Sequence, residues 1–553
     1  MSRGKYGISM RARPIFLFVV LARLPSVSLG QAAQHTSHQN LGNVNFSTSC
    51  STAVQPQFNR AVALLHSFQF RNAIEALEAI LVADPSCSIA YWGIALSNWG
   101  NPFAAGFKSP AQLEQGLKAV KQARGAPPKT ERERAYVEAV AHLFTDTANT
   151  DQQSRKLAYE SAMASLSIAY PDDTEAATFY ALALAADADP ADKTYAKQLK
   201  AGAILDKLFA QYPNHPGLAH YIIHAYDVPP LAPRAMGAAQ RYSEIAPSSP
   251  HALHMPSHTF TRVGDWQASI DANVAAAAAA RGAGQTPEEL HATDYMVYAY
   301  LQTAQDSAAK RLVDSAAQSF ARFDPASPNT GAASPATAYF ALAAIPARYC
   351  LERRAWSDAV NLEPLSTPFP YSDAITYFAR GLAAAHLKDR SAALSAITSL
   401  GQLGDKLTKM KELYWANQVD IQRQEVSAWL AFADGDSQGG LTGMRTAAEQ
   451  EDKTEKNVVT PGPIAPAREL LAEMLLELKR PAEALEEFEA TLTKEPRRFR
   501  SLYGAAEAAK LGGDRKTAEA YFRKLLEVAA RADNPGREEL TEARGQTRPA
   551  SHP

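Results

Sequence analysis

The sequence predicts an all-α solenoid, a superhelix of about ten to twelve helix-turn-helix hairpins covering nearly all of residues 50–532. Three observations predict it. Strand signals are almost absent, with no alternating Val/Ile/Thr runs bounded by Asn-Gly or Asp-Gly turns. Amphipathic helical segments come in pairs instead, each pair closed by an acidic-Pro or similar turn. The pairs also repeat. The unit ARELLAEMLLELKRPAEALEEFEATLTKEP (467–496) is followed at once by SLYGAAEAAKLGGD (501–514) and KTAEAYF (516–522).

Both units resemble the tetratricopeptide repeat (TPR), a helix-turn-helix with a period of 34 residues. Small Ala and Gly stand where two helices touch, Leu, Tyr and Phe fill the space between repeats, and a Pro closes the second helix. The same pattern recurs upstream in FNRAVALLHSFQFRNAIEALEAILVADP (58–85), in AYWGIAL (90–96), and in HMPSHTFTRVGDWQASIDANVAA (254–276) with Gly264 at the turn. The segments LERRAW (351–356) and AHLKD (385–389) read as two further turns. TERE (130–133) before an apolar run is a capping box and starts a helix near residue 131. Residues 455–466 break the pattern and are expected as a long loop inside the solenoid.

Taken in chain order, Arg3, Lys5, Arg11 and Arg13 precede a short apolar run over 14–22 and a small-residue cleavage candidate at 28–30. That order reads as a secretory signal peptide over 1–30, and the run, cut by Arg23, is too short for a transmembrane anchor. Residues 31–49 are expected as a polar linker, 50–300 as an N-terminal TPR solenoid with a His-rich groove, 301–532 as C-terminal repeats, and 533–553 as a disordered tail. The expected setting is periplasmic or secreted. Three cysteines fit it: Cys50 and Cys87 precede successive helices and are a candidate disulfide, the alternative being two free thiols, while Cys350 belongs to an apolar helix.

Composition excludes several classes. With 553 residues, 46% hydrophobic and 21% charged, the chain is too apolar for disorder and too charged for a multispan membrane protein. Lys+Arg at 56 against Asp+Glu at 58 leaves no electrostatic footprint for nucleic acid. No G-x-S-x-G elbow, P-loop or Rossmann fingerprint is present, so nucleotide cofactors and hydrolase-elbow chemistry have no support.

The blocks YWGIALSNWGNPF (91–103), LAHYIIHAYDVP (218–229), ALHMPSHTFTRVGDW (252–266), DYMVYAYLQ (294–302) and TPGPIAPARELLAEMLLEL (460–478) resemble a widespread group of secreted bacterial TPR proteins, over most of residues 50–530. The resemblance implies the fold and the exported setting, and no reaction. Members of that group often carry His after the Thr-Glu-Lys that precedes TPG; here the position is Asn457.

The histidines are concentrated. Of 13, seven (215, 220, 224, 251, 254, 258 and 291) fall in residues 215–291, where even scatter would place about two. In TPR register His220 and His224 take positions 5 and 9 of one repeat, and His254 and His258 the same positions of the next. In the third repeat His291, Asp294 and Tyr298 take positions 2, 5 and 9. These positions face the concave groove, and adjacent first helices lie about 8–10 Å apart. His251, Arg262, Arg348, Glu469 and Glu473 are candidate groove residues as well, an Arg there suiting a carboxylate and the glutamates a basic peptide.

Three readings follow. In the first, His220, His224, His254, His258, His291 and Asp294 hold a transition metal (Zn, Cu or Fe), because His pairs at i and i+4 put two imidazoles on one helical face. Asp227 or Asp294 is then the expected acceptor for a ring N–H of a ligand. In the second, the groove is metal-free and binds a protein, a peptide or a small molecule. In the third, a His acts as general base beside Tyr or Asp without metal.

Overall fold

The computed structural model describes residues 40–104, 106–325 and 331–547. The expected signal peptide and residues 31–39 of the expected linker lie outside them, as do 548–553. From Asn40 onward the chain forms one compact unit.

The fold is an all-α, TPR-type solenoid. Twelve hairpins follow one another from Gln55–His66 with Phe70–Ala83 to Phe499–Leu511 with Arg515–Val528. Among the described residues there is no strand. Each hairpin packs its two helices on each other and on the next pair, as the small-residue pattern demands. A Cβ at Gly93, for example, would stand 2.7 Å from Leu77 Cδ1, and one at Gly504 would run into the ring of Phe488. The eighth hairpin departs from the pattern: its second helix is a single turn, Trp356–Ala359. No helix of the described residues is long and apolar enough to cross a membrane.

Three parts of the chain depart from the sequence reading. Residues 40–49 are not a free linker. Phe46 is fully buried among Phe58, Trp92 and Tyr136, with ring centroids 5.0–5.3 Å away. Ser49 donates through its backbone N–H and its hydroxyl to Glu133, at 2.6 and 2.5 Å. One aromatic residue in a polar stretch supplies enough apolar burial to fix the segment. Cys50 and Cys87 are joined by a disulfide with Cα atoms 4.7 Å apart.

The expected frayed tail contains the helix Glu538–Gln546, whose Leu540 and Ala543 are fully buried. The boundary expected at residue 300 falls inside the continuous helix Thr286–Gln302.

The loop expected over residues 455–466 is present and shapes the site. The loop between Asp452 and Ala467 runs through the concave side of the superhelix. Tyr414 donates to the Glu455 carbonyl at 2.9 Å, and Glu455 accepts from Lys193 at 2.7 Å and from Tyr195 at 2.9 Å. Arg348 clamps the far end through Thr460 Oγ1 at 2.6 Å and the carbonyls of Gly462 and Pro463 at 3.0 and 2.9 Å. Pro461, Pro463 and Pro466 cannot continue a helix, and the carbonyls they leave free take up the guanidinium.

Candidate metal centre

Three consecutive hairpins supply the histidines from their first helices. Pro216–Ala225 carries His220 and His224. The next first helix is broken at Met255 into Pro250–His254 and Pro256–Val263, because Pro256 has no N–H to continue the ladder. The break leaves His254 and His258 on one face, both buried. Thr286–Gln302 carries His291.

Two triads result: His220, His224 and His251, and His254, His258 and His291. In each, one ring nitrogen per residue lies within 4.8 Å of the other two. An ion with metal–nitrogen bonds of about 2.0–2.1 Å sets its ligand nitrogens roughly 3–4 Å apart, so both triads need only a small inward adjustment. Across the triads the rings of His224 and His258 have centroids 6.1 Å apart, as do those of His251 and His254.

The proton positions follow from the outer partners. Asn273 donates its amide N–H to the Ser269 carbonyl at 2.7 Å, so its oxygen faces His254 Nδ1, also at 2.7 Å, and Nδ1 must carry the hydrogen. His258 Nδ1 lies 3.0 Å from Asp227 Oδ2 and donates to it. Both Nε2 atoms are then bare in the neutral rings, yet they stand 3.0 Å apart. That is lone pair against lone pair.

In the other triad His220 Nδ1 donates to the His66 carbonyl at 2.7 Å, and its bare Nε2 faces His251 Nε2 at 3.2 Å. His224 has no hydrogen-bond partner on either nitrogen although it is buried, stacked on Phe103 at 4.0 Å. His291 Nδ1 is likewise without one.

Burial and the neighbouring imidazoles disfavour a charge on five of these rings. They push His220, His224 and His254 well below the ordinary histidine range, and His291 down to about 3. His258 is lowered by burial against the pull of Asp227. Burial opposes a charge on Asp227 itself, but Lys456 at 3.5 Å and Arg262 at 2.9 Å overcome it and hold the carboxyl well below its usual range.

The other predicted site residues lie elsewhere. Asp294 sits on the His291 helix but faces Arg348 Nε at 2.9 Å and belongs to neither triad. Arg348 is committed to Asp294 and the loop, and Arg262 to Asp227. Glu469 takes a two-pronged contact from Arg498 at 2.7 and 2.9 Å and a hydroxyl from Ser501 at 2.5 Å. Glu473 pairs with Arg354. Tyr298 donates to Glu495 at 3.3 Å and accepts from Arg498 at 3.2 Å. The groove side expected to meet a ligand therefore meets the chain's own loop and its own countercharges.

Sequence reasoning missed a third group, His66, Glu175 and His215. Glu175 bridges the two rings at 2.8 and 2.9 Å. His215 Nδ1 accepts the Leu218 N–H at 3.3 Å and His66 Nδ1 meets the Tyr221 hydroxyl at 3.0 Å, so the group closes as a hydrogen-bonded structural network. It also missed Asn273, which lies in a second helix and outside the histidine register. The only available signal was a lone Asn in an alanine-rich segment.

No family model matches the chain, and no curated protein matches it. Among solved structures it is similar to the human IFIT1 dimer with m7Gppp-AAAA, at 11% identity over 80% of this chain and 90% of that one, with a TM-score of 0.36. It is also similar to Cut9–Hcn1, an APC/C hetero-tetramer, at 13% identity over 90% of each chain, with a TM-score of 0.30. For Naa15/Naa10 bound to HypK-THB the identity is 12% over 89% of this chain and 73% of that one, with a TM-score of 0.23. At such scores nothing about ligand or activity follows from the likeness.

Proposed function

We propose that this is an exported helical-repeat protein whose central histidines bind a transition metal. One observation carries the metal reading: the bare Nε2 atoms of His254 and His258 face each other at 3.0 Å with both Nδ1 hydrogens already committed. The one donor beside them, the Tyr295 hydroxyl at 3.3 Å from His258 Nε2, also faces the Thr460 and Val458 carbonyls at 3.3 and 3.4 Å, and its single hydrogen cannot satisfy both opposed lone pairs, which is unfavourable in a buried site. A cation between them turns the repulsion into two ligand bonds. Asn273 and Asp227 then act as outer partners that fix each ring's tautomer and orientation.

The chemistry of such a centre is that of a Lewis acid or redox ion held by neutral imidazoles. A cavity reaches it, lined by His224, His251, His258, His291 and the loop residues Asn457 and Val459. The peptide-groove reading is weaker, because the concave side is filled by residues 453–466.

The test is metal content by mass spectrometry on untagged protein purified without chelator. Wild type is expected to carry metal. His224→Ala is expected to carry clearly less metal than wild type and remain folded, since no hydrogen bond of that ring is broken. His386→Ala is the control: that ring is sandwiched between Trp356 and Trp429, at 4.1 Å from each. Wild type that binds no Zn, Cu, Mn or Fe below millimolar ends the metal reading. Export is tested separately by N-terminal sequencing from the native host, where a mature chain starting near Gln31 is expected and an intact Met1 refutes it.

A further inference from the structure

Two features of the centre go beyond the presence of a metal: the number of triads and their charge. The six rings are not one crowded site. They divide three and three, with His251 and His254 of a single short helix serving different triads. The cavity opens on two rings from each triad, His224 and His251 from one, His258 and His291 from the other. A small molecule entering there reaches both centres together.

The ligands carry no charge. No carboxylate or thiolate belongs to either triad. Of the nearest anions, Asp227 is matched by Arg262 and Lys456, and Glu288 spends one oxygen on the backbone N–H groups of Ala332 and Ala333, at 2.6 and 3.0 Å. Its other oxygen stands 3.7 Å from His251 Nδ1. Two divalent ions a few ångströms apart would place four positive charges in a buried site where Glu288 is the one nearby carboxylate without a Lys or Arg partner. Two monovalent ions halve that charge. Among biological transition metals only copper is stable as a monovalent ion, and three imidazoles suit it.

We infer that the two triads bind a pair of copper(I) ions, three imidazoles to each, with the shared cavity admitting a small ligand that contacts both. This rests on the metal reading above and adds stoichiometry and identity to it.

The test is anaerobic titration of the full chain with copper(I) in competition with bicinchoninate. Wild type is expected to withdraw two equivalents. His224→Gln and His291→Gln remove one ring from each triad, both chosen because His224 makes no hydrogen bond through either nitrogen and His291 none through Nδ1. Each is expected to hold one equivalent, and the double variant none above the competitor's reach. Circular dichroism on each variant checks that the helices remain. X-ray absorption on loaded wild type should show a nitrogen-only first shell with a copper–copper distance. A single equivalent in wild type, or loss of both ions in either single variant, overturns the pair. Two equivalents of zinc retained against excess copper(I) overturn the identity. These failures leave a metal protein standing, whereas wild type that takes up no metal ends both readings.

Discussion

At the scale of single residues, the strongest determinant of the centre is an uncharged side chain. Asn273 is not one of the triad residues and carries no charge, yet its amide orientation, locked by the Ser269 carbonyl, decides which nitrogen of His254 is bare. Removing it frees the ring to adopt the other tautomer and to rotate. Asn273→Ala is therefore expected to weaken metal binding by about 10- to 100-fold while the protein stays helical, a loss typical of outer-partner changes. Competition titration of wild type and variant checks it, and equal affinity would show that the tautomer is set elsewhere. The histidines themselves were legible, because an i, i+4 spacing repeated in two hairpins survives folding as a shared face. Asn273 was not, because its role depends on a helix packing that spacing does not report. Asp294 shows the converse. It sits on the expected helix, but a buried carboxylate seeks the nearest fixed cation, and Arg348 on the following hairpin supplies one at 2.9 Å.

Among the elements, the loop between Asp452 and Ala467 is where sequence and structure diverge most. Its proline content announced a break in the helices, but not that the segment turns inward across the groove. The reason lies in distant residues: Arg348, Tyr414 and Lys193 each hold it from separate hairpins. Its first anchor is also pH-sensitive. Glu451 accepts the Ala467 N–H at 3.0 Å, and burial raises its carboxyl to about 7, with Lys494 opposing. Glu425, fully buried on the adjoining helix, is pushed up by burial and by Glu451. A raised acid favours the folded state while it stays protonated. The contribution is complete below the ordinary value of about 4.5 and is lost as pH climbs from there to about 7. Because Glu451 is only half-buried, the loss is on the order of 2 kcal/mol rather than the full shift. Glu451→Gln keeps the acceptor for Ala467 and removes the proton. Its melting temperature is expected to differ less between pH 5 and pH 8 than that of wild type, with the gain at pH 8. Thermal melts at both pH values check it, and an equal pH dependence in the two proteins would move the effect to another group.

Across the whole molecule, the repeat period foretold a one-dimensional array, in which each hairpin touches only its neighbours and melts in stages. The structure adds closure. The C-terminal hairpins return onto the central ones: Trp266 donates to the Arg497 carbonyl at 3.0 Å, the Phe499 N–H meets Gln302 at 2.9 Å, and Arg537 grips Asp306 at 2.6 and 3.0 Å. Gly264 is required at this seam. Its φ is +73°, and a Cβ there would stand 2.5 Å from the Pro496 carbonyl oxygen. A buried apolar cluster joins Trp266, Ile270 and Tyr298 to Phe499, Leu502 and Phe522. None of this is visible in a local period, because closure depends on the accumulated rotation of several repeats. It couples distant parts of the chain, so wild type is expected to unfold in denaturant as one transition. Trp266→Ala empties the seam at a cost of about 3–5 kcal/mol. It removes the cluster's largest ring and the bond to Arg497, while the hairpins beyond residue 467 keep their own nearest-neighbour contacts. The variant is expected to unfold in two steps, with amides of residues 467–546 losing hydrogen-exchange protection at lower denaturant than those of 55–225. A variant that keeps one transition at a lower midpoint would mean that the nearest-neighbour interfaces alone hold the array together.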